Sequence, residues 1–420
     1  MVTREIKSVL AINTANAGGG AEKVAYTLCK ELHRRGFKSK MLAGRADHAA
    51  DELARELVLP VPGDPLIYSA GNLLDDIFST QYLFYLPTWK IPLMGVVKRA
   101  DVIHLHNMHG NYFNLFTLPF LMWQKPIVWT FHDMWPFTGK CAWDFGCGRF
   151  IESCGKCPQL DYYPKLTRDT SRFLLRLKKI LYGRPNYVIV TPSEWLRSHV
   201  QRSILRRVPT HVIPSPIDTK IFYPEDRAAA RARLGIPPDK KVVLFIASWI
   251  NTIPHKGIGT FLEMLQHLYT QRNDMYTIVV GHLQGQSVLG GKFAGLETGW
   301  LSDQSVLRDC YAATDVFVSP TLAENSSCTI MEAMACGTAT VAYATGGVPE
   351  QIVDGETGFL APSGDRQQLL EAVNSLLSSP EKVTQFGRAA SRRASGNFAL
   401  DIFVKKYLAV YQEAINNKNA

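Results

Sequence analysis

Glu324 and Glu332 stand eight positions apart and bracket a small polar loop, Asn325-Ser326-Ser327, that leads into an apolar run from Cys328 to Cys336. The loop offers a capping side chain and backbone N–H groups, and Gly337 stops the run, so the spacing predicts a helix over 328–336. Ahead of it, Asp315 to Val318 reads as a strand ended by Ser319-Pro320-Thr321. A helix N-terminus aims unsatisfied donors and the positive end of its dipole at whatever lies above it, which suits a phosphate. Carboxylates do not bind phosphate, but they accept hydrogen bonds from sugar hydroxyls. Phosphate donors beside hydroxyl acceptors describe a pocket for a nucleotide sugar. A βα unit with two solvated glutamates is the plainer alternative. Against it, a second loop, Thr345-Gly346-Gly347-Val348-Pro349-Glu350, follows the next strand and opens on the same edge, where open α/β sheets bind ligands.

The elements that must position these groups alternate between strand and helix. In the first half, strands are read at Ser8 to Asn13, Lys40 to Ala43, Val102 to Leu105, Ile127 to Phe131 and Tyr187 to Thr191, with a helix from Ala21 to Arg35 halted by Gly36. The second half repeats the pattern at Val242 to Ala247, Tyr276 to Gly281, Val316 to Ser319 and Thr340 to Tyr343. Such alternation argues for parallel, doubly wound α/β sheets. A chain of 420 residues exceeds one ordinary core and suggests two domains. Three prolines, Pro214, Pro216 and Pro224, mark a linker between them. An apolar share of 46% with 20% charged residues is globular. No apolar run reaches the roughly 18 residues needed to span a bilayer. The N-terminal segment enters a strand without a cleavage site, so a cytoplasmic protein is expected.

Three further groups carry possible chemistry. Ala17-Gly18-Gly19-Gly20-Ala21-Glu22 joins the first strand to the first helix and lets a ligand approach the backbone closely, or is a plain tight turn. His104 and His106 alternate onto one face of a strand, with His109 beyond; packing or lining is favoured over metal, since no third and fourth ligand is apparent. His132, followed by Asp133, ends the next strand on the same edge. Lys256-Gly257 follows the strand Val242 to Ala247 and carries a positive point charge.

Cys141, Cys147, Cys154 and Cys157 fall within a short Gly-rich and polar segment. The closing Cys154-Gly155-Lys156-Cys157 has zinc-knuckle spacing, and four thiolates would complete a tetrahedral site. Disulfides and free packing thiols are the alternatives; clustering and a reducing compartment favour a structural zinc. The remaining cysteines are scattered and read as packing.

Between Lys165 and Arg207 eleven basic residues meet two acids, Asp169 and Glu194. In 170–181 an apolar stripe (Phe173, Leu174, Leu177, Ile180, Leu181) runs beside a basic one (Arg172, Arg176, Lys179). A packed helix with a solvated charged face is the simple reading; attraction to anionic headgroups or to a pyrophosphate-linked lipid is the functional one. Nucleic acid is not expected, because no aromatic-interleaved basic motif accompanies the charge.

The Glu324/Glu332 pair, the run Glu332 to Gly337 and the Gly346-Gly347 loop together resemble the Glu-x7-Glu signature of the retaining glycosyltransferases of family 4. The segments from Phe131 to Cys141 and from Cys154 to Leu160 resemble a subgroup associated with colanic-acid and other exopolysaccharides. The resemblance implies the GT-B fold, two Rossmann-like domains facing across a cleft. It implies domains at 1–214, with a four-cysteine insertion near 138–160, and at 215–397, and a terminal helix (398–420) that returns to the first domain. It implies that Glu332 binds the nucleotide ribose and Glu324 the donor sugar, while amides of Asn325, Ser326 and Ser327 hold sugar and diphosphate. Gly347 joins the donor site, His132 contacts the donor sugar, Lys256 reaches the diphosphate, and the Gly19-Gly20 loop faces the cleft. The family's usual arginine after the strand is replaced here by Ala247-Ser248-Trp249, leaving either Ser248 with nearby amides, or a cation such as Lys292, to substitute. The function implied is metal-independent, retaining transfer of a hexose from a nucleotide diphosphate sugar to a glycan or lipid-linked acceptor in exopolysaccharide, capsule or lipopolysaccharide synthesis. Retention would proceed by front-face attack, with the leaving phosphate oxygen taking the acceptor proton. A nucleotide-sugar 2-epimerase of the same fold and a non-catalytic nucleotide-sugar-binding subunit are the rival readings.

Overall fold

Near-continuous apolar strands need cover on both faces, and only parallel sheets flanked by helices provide it. The computed structural model, which describes residues 5–183, 186–249, 254–282 and 287–419, contains two such sheets. The chain divides into two compact units, Met1–Ile213 with Val404–Ala420, and Pro214–Phe403.

The first unit holds strands β1 (Ser8–Ala15), β2 (Lys38–Arg45), β3 (Val58–Pro60), β4 (Val102–Leu105), β5 (Ile127–Thr130), β6 (Tyr187–Thr191) and β7 (Thr210–Val212). They pair in parallel in the order β3-β2-β1-β4-β5-β6-β7. Alternation sorts the side chains of β1: Leu10 and Ile12 enter the large core with Leu105, Trp129 and Ile189, whereas Ala11 packs with Ala25, Cys29 and Met41 on the opposite face. Helix α1 (Gly20–Arg34) follows β1, α2 (Pro65–Phe78) follows β3, and α3 (Ser171–Leu181) precedes β6.

The second unit holds β8 (Lys241–Trp249), β9 (Met275–His282), β10 (Gly295–Gly299), β11 (Val316–Ser319), β12 (Ala339–Tyr343) and β13 (Gly358–Ala361), parallel in the order β10-β9-β8-β11-β12-β13. Val242 and Leu244 feed one core, and Val243, Phe245 and Ala247 the other. Helix α4 (Ile258–Gln271) follows β8 and α5 (Cys328–Ala335) follows β11. Most of the terminal helix α6 (Leu400–Asn419) belongs to the first unit, within which Tyr407 and Tyr411 hydrogen-bond Thr130 (2.8 Å) and His104 (2.7 Å).

In each sheet the strand order reverses once, between β1 and β4 and between β8 and β11. Loops leaving the C-terminal ends of those strands diverge to opposite faces and open a crevice, the usual ligand site of open α/β sheets. Among the described residues no helix is long and apolar enough to cross a membrane.

One sequence expectation needs correction. The apolar stripe read along α3 is divided: Leu174 is buried and Leu177 and Leu181 half-buried, while Phe173 and Ile180 lie exposed and Leu175, outside the stripe, is buried instead. Lys178 is buried beside them, its Nζ donating to the carbonyls of Trp135 (2.6 Å) and Thr138 (3.1 Å) and lying 3.7 Å from the Trp135 ring centroid. Two carbonyls and an aromatic face satisfy this ammonium, so the inward face takes a lysine and rotates away from Phe173.

Candidate functional site

Residues singled out from the sequence follow the strands at or next to both reversals. In the second unit, β11 delivers the chain through Pro320 to Glu324, and β8 leads to the turn Pro254–Lys256. The two loops are tied together: the N–H of Leu322 (2.7 Å) and the hydroxyl of Thr321 (3.1 Å) both donate to the carbonyl of His255. Such an approach is possible only because residue 257 is glycine. Its φ is +80°, and a Cβ there would lie 2.0 Å from the Pro320 oxygen. Lys256 is thereby set against Glu324, Nζ to Oε2 2.8 Å, with side chains 31% and 15% exposed. The other carboxylate oxygen of Glu324 accepts from the N–H of Asn325 at 3.1 Å. Burial and the neighbouring Lys256 charge push the His255 imidazole down to about 4, so it is neutral at physiological pH.

Past Glu324, Asn325 is buried, Ser326 half-buried, and Ser327 caps α5 by accepting from the Ile330 N–H. Gln351 clamps that cap through Ser327, receiving its N–H and donating to its carbonyl, both at 2.9 Å. Sequence reading passed over Gln351; its place one residue beyond the Gly346-Gly347 loop was the available signal. That loop closes over Glu324: the Gly347 N–H donates to the Glu324 carbonyl at 3.3 Å, and a Cβ on Gly346 would lie 1.7 Å from the same oxygen. Glu332, on α5, is only 4% exposed, and its Oε2 accepts from the Tyr311 hydroxyl at 2.9 Å. Tyr311 was also missed; nothing in its local pattern separates it from other core aromatics. Ser248 is the penultimate residue of β8, and its side chain lies outside the described residues; Lys292 is exposed on the turn before β10.

In the first unit, Gly19 forms the N-cap of α1 without a side-chain cap, and Gly20 opens the helix. His132 follows β5. Its Nε2 lies 3.1 Å from Nδ1 of His106, the rings stacked with centroids 5.4 Å apart. Burial drives His132 down to about 4 against the pull of Asp133, His104 down to about 3, and His106 well below its ordinary value. This column of imidazoles is therefore uncharged at neutral pH. Beside it His109 bridges Asp133 (2.8 Å) and the Tyr163 hydroxyl (3.2 Å). Burial raises the pKa of Glu22, which shares this neighbourhood.

Cys141, Cys147, Cys154 and Cys157 line one small pocket with Lys140 and Asp144. Positive φ at Cys154, Gly155 and Lys156 curls the knuckle back on itself. Burial pushes the Cys141 and Cys154 thiols up, to about 12 and about 11. Among the described residues, no group of three or more His, Cys, Asp or Glu side chains is set closely enough to form a metal site as it stands.

Chemically, the second unit offers a cation, a carboxylate and a capped helix N-terminus at one sheet edge, a fit for a dianion joined to a hydroxylated group. The family model for glycosyl transferases group 1 matches residues 226–393, and that for glycosyltransferase family 4 matches 18–221. The lipopolysaccharide core biosynthesis mannosyltransferase LpsB of Rhizobium meliloti is 30% identical over 59% of this chain and 75% of its own length. The chain belongs to the group 1, family-4-like glycosyltransferases. A D-inositol 3-phosphate glycosyltransferase of Segniliparus rotundus is 30% identical over 49% of this chain and 47% of its own length. The chain thus spans about half the length of the first curated relatives it matches. Among solved structures, the sucrose-phosphate synthase of Thermosynechococcus elongatus superposes with a TM-score of 0.70 at 19% identity, covering 97% of this chain and 99% of that one. Anabaena HepE, solved in complex with UDP-glucose, gives 0.66 at 18% identity, covering 96% and 98%. These likenesses establish the fold, GT-B with two Rossmann-like units.

Proposed function

We propose that this glycosyltransferase moves a hexose, with retention of configuration, from a nucleotide diphosphate sugar to a glycan or lipid-linked acceptor in the synthesis of an exopolysaccharide, capsule or lipopolysaccharide. The observation that carries the reading is the Lys256–Glu324 pair at the strand-order reversal of the second unit, beside the N-terminus of α5. Negative charge grows on the diphosphate as the glycosidic bond breaks, and a fixed cation with oriented amides stabilises that charge more than it stabilises the bound donor. Lys256 supplies the cation, and the amides of Asn325, Ser326, Ser327 and Gly347 supply the dipoles. Glu324 accepts from sugar hydroxyls, and Glu332, oriented by Tyr311, from the ribose. Gly19, Gly20 and His132 are the contributions assigned to the first unit. The uncharged imidazole of His132 suits a hydrogen bond to a sugar better than ion pairing. The LpsB relative supports a cell-envelope product, and the UDP-glucose held by HepE supports a nucleotide-sugar donor.

The test is a panel of nucleotide sugars, scored for slow hydrolysis by purified protein and for the anomeric configuration released. Hydrolysis of one donor with retained configuration is expected. Binding of a donor without hydrolysis or transfer to any acceptor would instead make the chain a nucleotide-sugar-binding subunit, and interconversion of sugar epimers would make it an epimerase.

The cysteine pocket is assigned a structural zinc held by Cys141, Cys147, Cys154 and Cys157. A segment of this composition has too little apolar mass for a core of its own, and four thiolates on one ion would give it shape. About one zinc per chain is expected by elemental analysis, and Cys157→Ser should lower both zinc content and melting temperature. A metal-free preparation whose melting is unmoved by added zinc would remove the site.

A further inference from the structure

Helix α2 is amphipathic the wrong way round for a soluble surface. Leu66, Leu73 and Ile77, spaced to share one side, are 80%, 61% and 50% exposed, with Leu74 and Phe78 also facing out. The inward side carries Gly71 and Asp75, the latter buried and accepting from the Thr80 hydroxyl (2.6 Å) and the Tyr82 N–H (3.0 Å). A single exposed leucine means little, but a continuous apolar stripe marks a contact surface.

The C-terminal end of α2 is stitched to the segment that opens α3. The Ser79 hydroxyl donates to the Arg168 carbonyl at 2.7 Å, the Arg168 guanidinium donates to the Ile77 carbonyl at 2.5 Å, and the Thr170 hydroxyl donates to the Ser79 carbonyl. Next in line are the exposed Phe173 and Ile180 of α3, which stand among exposed Arg172, Arg176 and Lys179. An apolar helix therefore adjoins a helix that mixes apolar and basic side chains.

We propose that α2 and α3 together dock this protein on an anionic lipid bilayer surface. A bilayer offers acyl chains to Leu66, Leu73 and Ile77 and phosphate headgroups to Arg168, Arg172, Arg176 and Lys179 in one plane. A second copy of the chain is the poorer occupant, because a two-fold interface built on this face would set like charges against each other. The inference does not depend on which donor or acceptor the protein uses.

The experiment is co-sedimentation of the purified full chain with vesicles of phosphatidylcholine alone or mixed with phosphatidylglycerol. Binding is expected to the mixed vesicles only, weakening with salt. Reversal of three charges (R172E, R176E, K179E) should lower partition at least about a hundredfold, at about fivefold for each basic residue lost before the added repulsion. Leu73→Ser with Ile77→Ser should lower it about tenfold or more, and both variants should melt as the parent does. Failure of the parent to bind mixed vesicles, or undiminished binding by the variants, overturns the proposal. So does a stoichiometric dimer in light scattering that Leu73→Ser with Ile77→Ser dissolves, which would give the face to self-association.

Discussion

Before any donor arrives, the charge of Lys256 is already answered by Glu324 at 2.8 Å. On the function proposed above, a diphosphate entering the site must share that ammonium with the carboxylate or take it away. Glu324→Gln keeps the shape of the side chain and an oxygen for the Asn325 N–H while deleting the competing charge. At about 4 Å the bare Coulomb term is near 4 kcal/mol for an effective dielectric of about 20. Lys256 is about a third exposed, so solvent and salt reduce this to about 1 kcal/mol or less, within the range of partly exposed pairs. The expected outcome is nucleoside diphosphate affinity raised about two- to fivefold by calorimetry, with the gain fading as salt increases. Turnover should move the other way, falling about a hundredfold, because the sugar loses its acceptor just when the bond breaks. A Lys256→Met partner variant closes the cycle: in its presence Glu324→Gln should no longer tighten diphosphate binding. Equal diphosphate affinity in Glu324→Gln and parent, across salt concentrations, would refute the reasoning that the two groups compete for one cation.

Other perturbations read different parts of the site. Tyr311→Phe removes the hydroxyl that donates to Glu332 at 2.9 Å and should weaken donor binding by about 1 kcal/mol, while Glu332→Ala should cost about 1–3 kcal/mol; unchanged calorimetry in folded variants would take Glu332 out of the site. Gly257→Ala forces a Cβ to within 2.0 Å of the Pro320 oxygen at positive φ, so it should cost about 1–2 kcal/mol or more of stability and most activity; a fully active, unshifted variant would show the loop to be tolerant. Folding should be acid-labile through the imidazole column. Folded His132 and His104 sit near 4 and 3, below an unfolded value of about 6.5, so the unfolded chain binds more protons between those limits. Stability is then full above pH 6.5 and lost as pH falls, by about 2 kcal/mol for each histidine at pH 5; denaturant midpoints that do not drop between pH 7 and 5, or that drop equally in His104→Gln, would contradict this.

The strands legible in the sequence were those paired on both sides. β1, β4, β5 and β6 of the first sheet and β8, β9, β11 and β12 of the second are apolar enough to stand out, as is β2. The four that escaped, β3, β7, β10 and β13, are the edge strands of their sheets. An edge strand pairs on one side only and can be short and mixed, as the sequence Gly295-Leu296-Glu297-Thr298-Gly299 is, so it leaves no strong period to read. The same division runs through the candidate site. Glu324, Lys256 and the Gly346-Gly347 loop were legible because each follows a central strand, and a polar or glycine residue there has no packing duty that would explain it. Tyr311 and Gln351 were not, since their work is to hold Glu332 and Ser327 through hydrogen bonds set by tertiary placement. The apolar face of α2 was illegible for a further reason. Periodicity in Leu66, Ala70, Leu73 and Ile77 declares that a helix has an apolar side, but not which way that side will turn. Here the inward turn was taken by Asp75, whose carboxylate anchors the N–H groups of Tyr82 and Leu83, and satisfying those buried donors fixes the helix with its leucines outward.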